Sequence, residues 1–240
     1  MAREFHPQAQ DVLAEIGEKG LPPKRALDPP AARRDLEALL ADRGDLVRLA
    51  HVRDTAIPGP EDAIPVRIYR PDGDRPLPVL VYYHGGAWVR GSLEAHDPIC
   101  RRIAKRANCI VVSVDYRLAP ERPFPAPLAD AVTAAEWVAR CAEPIGGDPD
   151  AVAVGGDSAG GNLAAAVSMV VRDRDGPDLA HQLLLYPTLN RHEEMASSTL
   201  ERSSRPPSGS RCSRPSSSCR SRSACSRCCT ECAMRSRVLY

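Results

Sequence analysis

The sequence predicts an α/β fold built on a mostly parallel sheet, and three observations carry that prediction. Short continuous apolar runs recur, helical patterns fall between them, and two of the runs end in glycine-rich turns. The runs are residues 78–83, 109–114, 151–155 and 182–186. Each has the length and branched-residue content of a strand covered on both faces. Residues 95–106, 127–141 and 158–171 read as the helices between them, which implies right-handed crossovers.

The N-terminal elements differ. Residues 8–19 place Val12, Leu13 and Ile16 on one helical face, and Gly20 ends the pattern. Asp28 reads as an N-cap ahead of Pro29 and Pro30 in a first turn. Leu36, Leu39 and Leu40 form the stripe of that helix, and Gly44 is a C-terminal stop. Residues 1–45 are therefore expected to be N-terminal cap helices, either packed on the core or lying as a lid over a site. Residues 46–55 and 63–69, separated by Ile57-Pro58-Gly59-Pro60, read as a hairpin.

Composition excludes several classes. No apolar run among the 240 residues approaches the ~18 of a spanning helix. The first residues lack an apolar leader and cleavage site, so a cytoplasmic protein is expected. The net charge of +1 conceals two unlike pieces: residues 201–240 carry nine Arg and two Glu, whereas residues 1–200 sum to −6. Cys100, Cys109 and Cys141 suit reduced residues of the folded part. Arg117 and Glu121 are spaced to form a salt bridge.

Two motifs carry chemistry. In Gly155-Gly156-Asp157-Ser158-Ala159-Gly160-Gly161-Asn162, a G-x-S-x-G sits directly between a predicted strand and a predicted helix. That context is a nucleophile elbow, in which small residues on either side let the turn close and project the hydroxyl of Ser158. The second motif, Tyr83-His84-Gly85-Gly86-Ala87-Trp88, ends the first core run. A glycine turn there offers backbone N–H groups to a tetrahedral oxyanion. Gly85 and Gly86 are the expected donors, with the N–H of Ala159 as the third. His84 is expected to hold the loop rather than act as base, because the base follows the serine in chain order in such folds. Asp157 is expected to orient the elbow. Neither glycine stretch has the spacing of a nucleotide-binding loop.

The pair H-G-G-A-W and G-D-S-A-G-G-N resembles the hormone-sensitive lipase family of α/β-hydrolases, in its bacterial carboxylesterase branch. Asp115-Tyr116-Arg117-Leu118-Ala119-Pro120-Glu121, Phe124-Pro125-Ala126-Pro127 and Leu184-Leu185-Tyr186-Pro187 are also similar to that family. The resemblance runs from about residue 10 to about residue 196. It implies an α/β-hydrolase fold in three layers and hydrolysis of short-chain carboxylic esters by Ser158. It implies no cofactor and no metal, a small-molecule ester as partner, and homodimers in the intact family form.

The resemblance also implies a carboxylate and then a histidine well beyond the serine. Neither family motif occurs here. Beyond residue 200 the acids are Glu201 and Glu231, and no histidine follows His192. His181 and His192 remain as base candidates, at positions that do not match the family. The core, residues 46–196, is therefore expected to be partial, with an exposed sheet edge and weak or absent turnover.

Residues 197–240 are expected to be a disordered tail rich in Ser, Arg and Cys. Three readings compete. An out-of-frame segment accounts for the simultaneous change in charge, cysteine usage and resemblance. An Arg-rich nucleic-acid or membrane tail lacks aromatic residues for stacking. A metal site at Cys225, Cys228, Cys229 and Cys232 crowds its ligands into eight residues. Two functional rivals stand beside the esterase: a non-catalytic small-molecule-binding protein on the same fold, and a nucleic-acid-associated protein acting through the tail.

Overall fold

The computed structural model describes residues 6–18, 28–41, 46–73 and 76–189. The chain divides into two units, Met1–Arg191 and His192–Tyr240, and the described residues all belong to the first. Gly20, Gly44, His192 and the whole of 197–240, with its cysteines, lie outside them.

Helices α1 (Pro7–Glu18) and α2 (Pro29–Ala41) come first. The predicted cap of α2 is present: the Ala31 N–H donates to Asp28 Oδ1 at 2.7 Å. Strands β1 (His51–Ile57) and β2 (Ile64–Arg70) form the antiparallel hairpin. It begins later than the sequence pattern at residue 46, because β2 stops at Arg70 before Pro71, which has no N–H to continue the ladder. Next come β3 (Leu77–Tyr83), α3 (Leu93–Ala107), β4 (Ile110–Val114), α4 (Ala126–Arg140), β5 (Gly147–Asp157), α5 (Ala159–Asp173) and β6 (His181–Leu185). The sheet order is β1-β2-β4-β3-β5-β6. The last four of these strands are mutually parallel, as the runs predicted.

Alternation along β3 divides the core between the two faces. Val79, Val81 and Tyr83 enter one cluster with Ala131, Ala135, Leu163 and Val167 of α4 and α5. Leu80 and Tyr82 enter another with Cys100 and Ala104 of α3. Both faces are therefore covered, which explains why β3 and β4 read as unbroken apolar runs. Ser92 caps α3 by accepting the Ala95 N–H, and Asn108 ends it in the left-handed conformation. Burial pushes the Cys100 thiol up to about 12 and the Cys109 thiol to about 11, consistent with inert core thiols.

Among the described residues β6 pairs with β5 alone and forms the sheet edge. His181 and Gln182 are exposed there, and Tyr186 just beyond it is 73% exposed. No helix among the described residues is long and apolar enough to cross a membrane.

Candidate active site

β5 ends at Asp157 and α5 begins at Ala159, so Ser158 makes the turn between them, at φ 52° and ψ −112°. Such angles are costly for a residue with a Cβ and persist only where the surroundings enforce them. The surroundings are visible. The Ser158 N–H donates to the Leu185 carbonyl at 2.9 Å, and the Ser158 carbonyl accepts from Thr188 and Asn162. A Cβ at either Gly156 or Gly160 would collide with the carbonyl oxygen of Tyr83. The small residues of G-x-S-x-G are therefore needed because the elbow lies against the end of β3.

The H-G-G turn leaves β3 at that same edge. His84 is fully buried. It stacks on Tyr116 at 4.3 Å, and its Nδ1 lies 2.9 Å from the Gly85 carbonyl. Burial, and then the neighbouring His96 ring, lower its pKa to about 4, so the ring is neutral near pH 7. Its carbonyl accepts the Tyr116 hydroxyl at 2.7 Å. These contacts fit a ring that holds the loop.

Asp157 joins the loop to the elbow. Its Oδ1 accepts the Gly85 N–H at 2.8 Å and the Tyr82 hydroxyl at 2.8 Å, and lies 3.5 Å from His96 Nε2. Burial alone would raise this carboxyl, but the His96 contact, the Tyr82 hydroxyl and the Gly85 N–H outweigh it and hold the group below the usual range. The expectation for Gly85 is corrected here. Its N–H is already bound to Asp157, so it is not free to receive an oxyanion. Glycine is required there for a different reason, since a Cβ would collide with the Asp157 carboxylate. Beyond it, Gly86 takes φ 130°, and Ala87 and Trp88 take φ 56° and 59°. Ala159 is the first residue of α5, where N–H groups have no intrahelical acceptor and the helix dipole favours negative charge.

Two pockets flank this edge. One, of about 270 Å³, is lined by Gly85, Gly86, His96, Asp157 and Tyr186, with Leu36, Leu39 and Leu40 of α2 as its wall. The other, of about 400 Å³, is mainly apolar and is lined by Ala87, Trp88, Phe124, Leu128, Asn162 and Leu163.

The other sequence candidates separate from the site. His181 pairs with Ala153, whereas Leu185 pairs with Asp157. His181 is thus four residues down β6, roughly 13 Å from the elbow at strand spacing, and it lines a different pocket with Ser168 and Gln182. The expected Arg117–Glu121 pair is also corrected. Arg117 forks onto Asp130, with Nη2–Oδ1 at 2.8 Å, and reaches Glu61 at 2.7 Å, whereas Glu121 binds Arg33 at 2.6 Å. Buried Asp130 demands a charged partner, and Arg117 supplies it. Sequence reasoning missed His96, Tyr82 and Arg33. Tyr82 carried one usable signal: a tyrosine within a doubly covered strand must find an acceptor for its hydroxyl. Among the described residues no histidine is hydrogen-bonded to the Ser158 hydroxyl, and no cluster of three or more His, Cys, Asp or Glu is arranged to hold a metal.

A mostly parallel sheet with helices on both faces, carrying a strained serine between strand and helix, defines the α/β-hydrolase class. A family model described as the alpha/beta hydrolase fold matches residues 80–215, and the chain belongs to that family, in its hormone-sensitive lipase-like branch. The match runs past residue 196. The chain is 56% identical to carboxylesterase NlhH of Mycobacterium tuberculosis over 126 residues, covering 52% of this chain and 40% of that protein. It is 38% identical to ethyl acetate hydrolase of Pseudomonas putida over 175 residues, covering 69% and 54%. Among solved structures, the hyperthermophilic esterase of Pyrobaculum calidifontis superposes with a TM-score of 0.71 at 40% identity, covering 78% of this chain and 60% of that one. The chain thus spans about two fifths of the length of NlhH and about half that of the ethyl acetate hydrolase.

Proposed function

We propose that the protein hydrolyses short-chain carboxylic esters through Ser158. The observation that carries this reading is the strained elbow at Ser158, set at the sheet edge beside the H-G-G turn and tied to it by Asp157. The names of the relatives point the same way. In this reading the Ser158 hydroxyl attacks the ester carbonyl carbon, its proton passes to solvent water, and water returns a proton to the departing alkoxide. The carbonyl oxygen becomes an oxyanion received by the N–H groups of Gly86 and Ala159, with Ala87 taking the place expected of Gly85. Collapse of the intermediate releases the alcohol and leaves an acyl-serine, which water then cleaves. The apolar pocket beside Ala87 and Trp88 would receive an uncharged part of the substrate. His84 and Asp157 hold the loop and do not exchange protons with substrate, and α1 and α2 act as part of a cap.

The described residues supply no base for Ser158, so turnover by the 240-residue chain is proposed to be weak. Losing the base of a serine triad costs on the order of 10⁶ in turnover, while an oxyanion site retains ~10³ over water. A second reading, a ligand-binding protein on this fold, rests on the mainly apolar pocket of about 400 Å³ beside Ala87 and Trp88.

The test is to treat the full chain and Ser158→Ala with a fluorophosphonate and to follow p-nitrophenyl acetate hydrolysis. The expected result is a phosphonyl adduct on Ser158 and slow turnover, both lost in the variant. Turnover that persists in Ser158→Ala, with no adduct on Ser158, overturns the proposal. Saturable binding of the ester without turnover supports the second reading.

A further inference from the structure

The turn after Gly85 poses a physical problem. Ala87 and Trp88 are consecutive residues with side chains, and both lie in the left-handed region. Such conformations are disfavoured for each residue and survive only when neighbouring structure over-determines them. Inside the turn, the Val89 and Arg90 N–H groups donate to the Gly86 carbonyl at 3.2 and 3.1 Å. Two long bonds within a five-residue turn do not by themselves fix its orientation on the fold.

Trp88 packs against the core cluster, and a further restraint comes from helix α2. Arg33 Nε donates to the Val89 carbonyl at 2.8 Å, and Nη2 donates to the Ala119 carbonyl at 3.1 Å. The Ala119 N–H in turn donates to the Trp88 carbonyl at 2.8 Å, which closes a ring through Arg33, Val89, Trp88 and Ala119. Glu121 grips the guanidinium in a fork, at 3.0 and 2.6 Å. Glu121 is exposed, so this ion pair adds little stability of its own. Its effect is geometric: it aims the planar guanidinium so that the remaining donors meet two carbonyls. Only arginine carries enough fixed donors for three acceptors in different directions. Arg33 also stands three and seven residues before Leu36 and Leu40, the spacing of one helical face, and those leucines wall the pocket beside Gly86.

We propose that Arg33 is a positioning residue for the reaction at Ser158: from α2 it holds the Gly86–Arg90 turn in its left-handed form and so fixes the backbone N–H groups of Gly86 and Ala87. The inference rests on the ester-hydrolase reading for its consequence, but not for the contact itself.

The experiment compares wild type, Arg33→Met and Arg33→Lys in the full chain. It follows amide hydrogen exchange at Val89 and Arg90, the rate of fluorophosphonate labelling of Ser158, and Tm. In Arg33→Met, exchange at Val89 and Arg90 is expected to accelerate while Val81 in the core is unchanged. Labelling is expected to slow by about tenfold or more, since small misplacements of reacting groups carry penalties of that order. Arg33→Lys keeps the charge but not the fork, and is expected to match Arg33→Met in both exchange and labelling rate. Unchanged exchange at Val89 and Arg90 in Arg33→Met overturns the proposal, as does an unchanged labelling rate when exchange has risen. If wild type is not labelled at Ser158, the ester-hydrolase reading fails, and the exchange result alone decides whether Arg33 holds the turn.

Discussion

Asp157 and Gly85 stand 72 residues apart, and the Gly85 N–H donates to Asp157 Oδ1 at 2.8 Å in a buried setting. The acceptor ends β5, one residue before the elbow serine, and the donor follows β3. This single bond sets the glycine turn at a fixed distance from the serine. It also explains why the residue before Ser158 is charged: a carboxylate makes a stronger acceptor than a neutral side chain, and three groups converge on it.

Removing that carboxylate should therefore cost more than its own contact. In Asp157→Ala the Tyr82 hydroxyl and the Gly85 N–H are left buried without an acceptor, at about 1–3 kcal/mol each. A loss of about 3 kcal/mol in urea unfolding is expected. Adding Tyr82→Phe should recover about 1 kcal/mol, because one orphaned donor disappears. Strictly additive losses in the double variant would show that the two groups do not act together.

Ser158 should be a site where function costs stability. Its φ of 52° and ψ of −112° carry strain of about 1–3 kcal/mol. Glycine tolerates such angles, at about 0.4–1 kcal/mol of added freedom in the unfolded chain. Ser158→Gly is thus expected to raise stability by about 1 kcal/mol while abolishing labelling by a fluorophosphonate. A lower Tm in Ser158→Gly than in Ser158→Ala would count against strain at the elbow.

His84 should make the fold acid-sensitive. Burial, reinforced by His96, lowers its pKa from 6.5 to about 4. The unfolded chain then binds the proton more readily, so the contribution is complete above about pH 6.5 and is lost as pH falls toward 4. At pH 5 the loss is about 2 kcal/mol. Asp115, raised to about 6 by burial and by Glu94 and Glu37, acts with the opposite sign, because the native state takes up its proton first. His84 Nε2 lies 4.0 Å from Asp115 Oδ1, so the Tm difference between pH 7.5 and 5 is compared in Asp115→Asn and in Asp115→Asn with His84→Asn, where the opposing group is gone from both. Equal differences in the two proteins would place the acid sensitivity elsewhere.

Much of the fold was legible because its signals are local. The apolar runs of β3 and β4 marked doubly covered strands, and Asp28 marked the start of α2. Ser158 was legible because a strand, a tight turn of small residues and a helix must follow one another directly. The boundaries of β1 and β5 were less so, since a strand ends where its partner does: β1 waits for the end of β2, and β5 starts early, at Gly147 opposite Leu77.

The sequence by itself determined the α/β class, the order of the elements, the serine elbow and the glycine turn, because each is written in neighbouring residues. Only the tertiary structure decided which groups those motifs meet. It gave the Gly85 N–H to Asp157, Glu121 to Arg33 and Arg117 to Asp130, and it set His181 down the edge strand from Ser158. The reason is range. Backbone periodicity and turn sterics act over a few residues, whereas a buried charge or N–H takes whichever partner packing brings within about 3 Å, however distant along the chain.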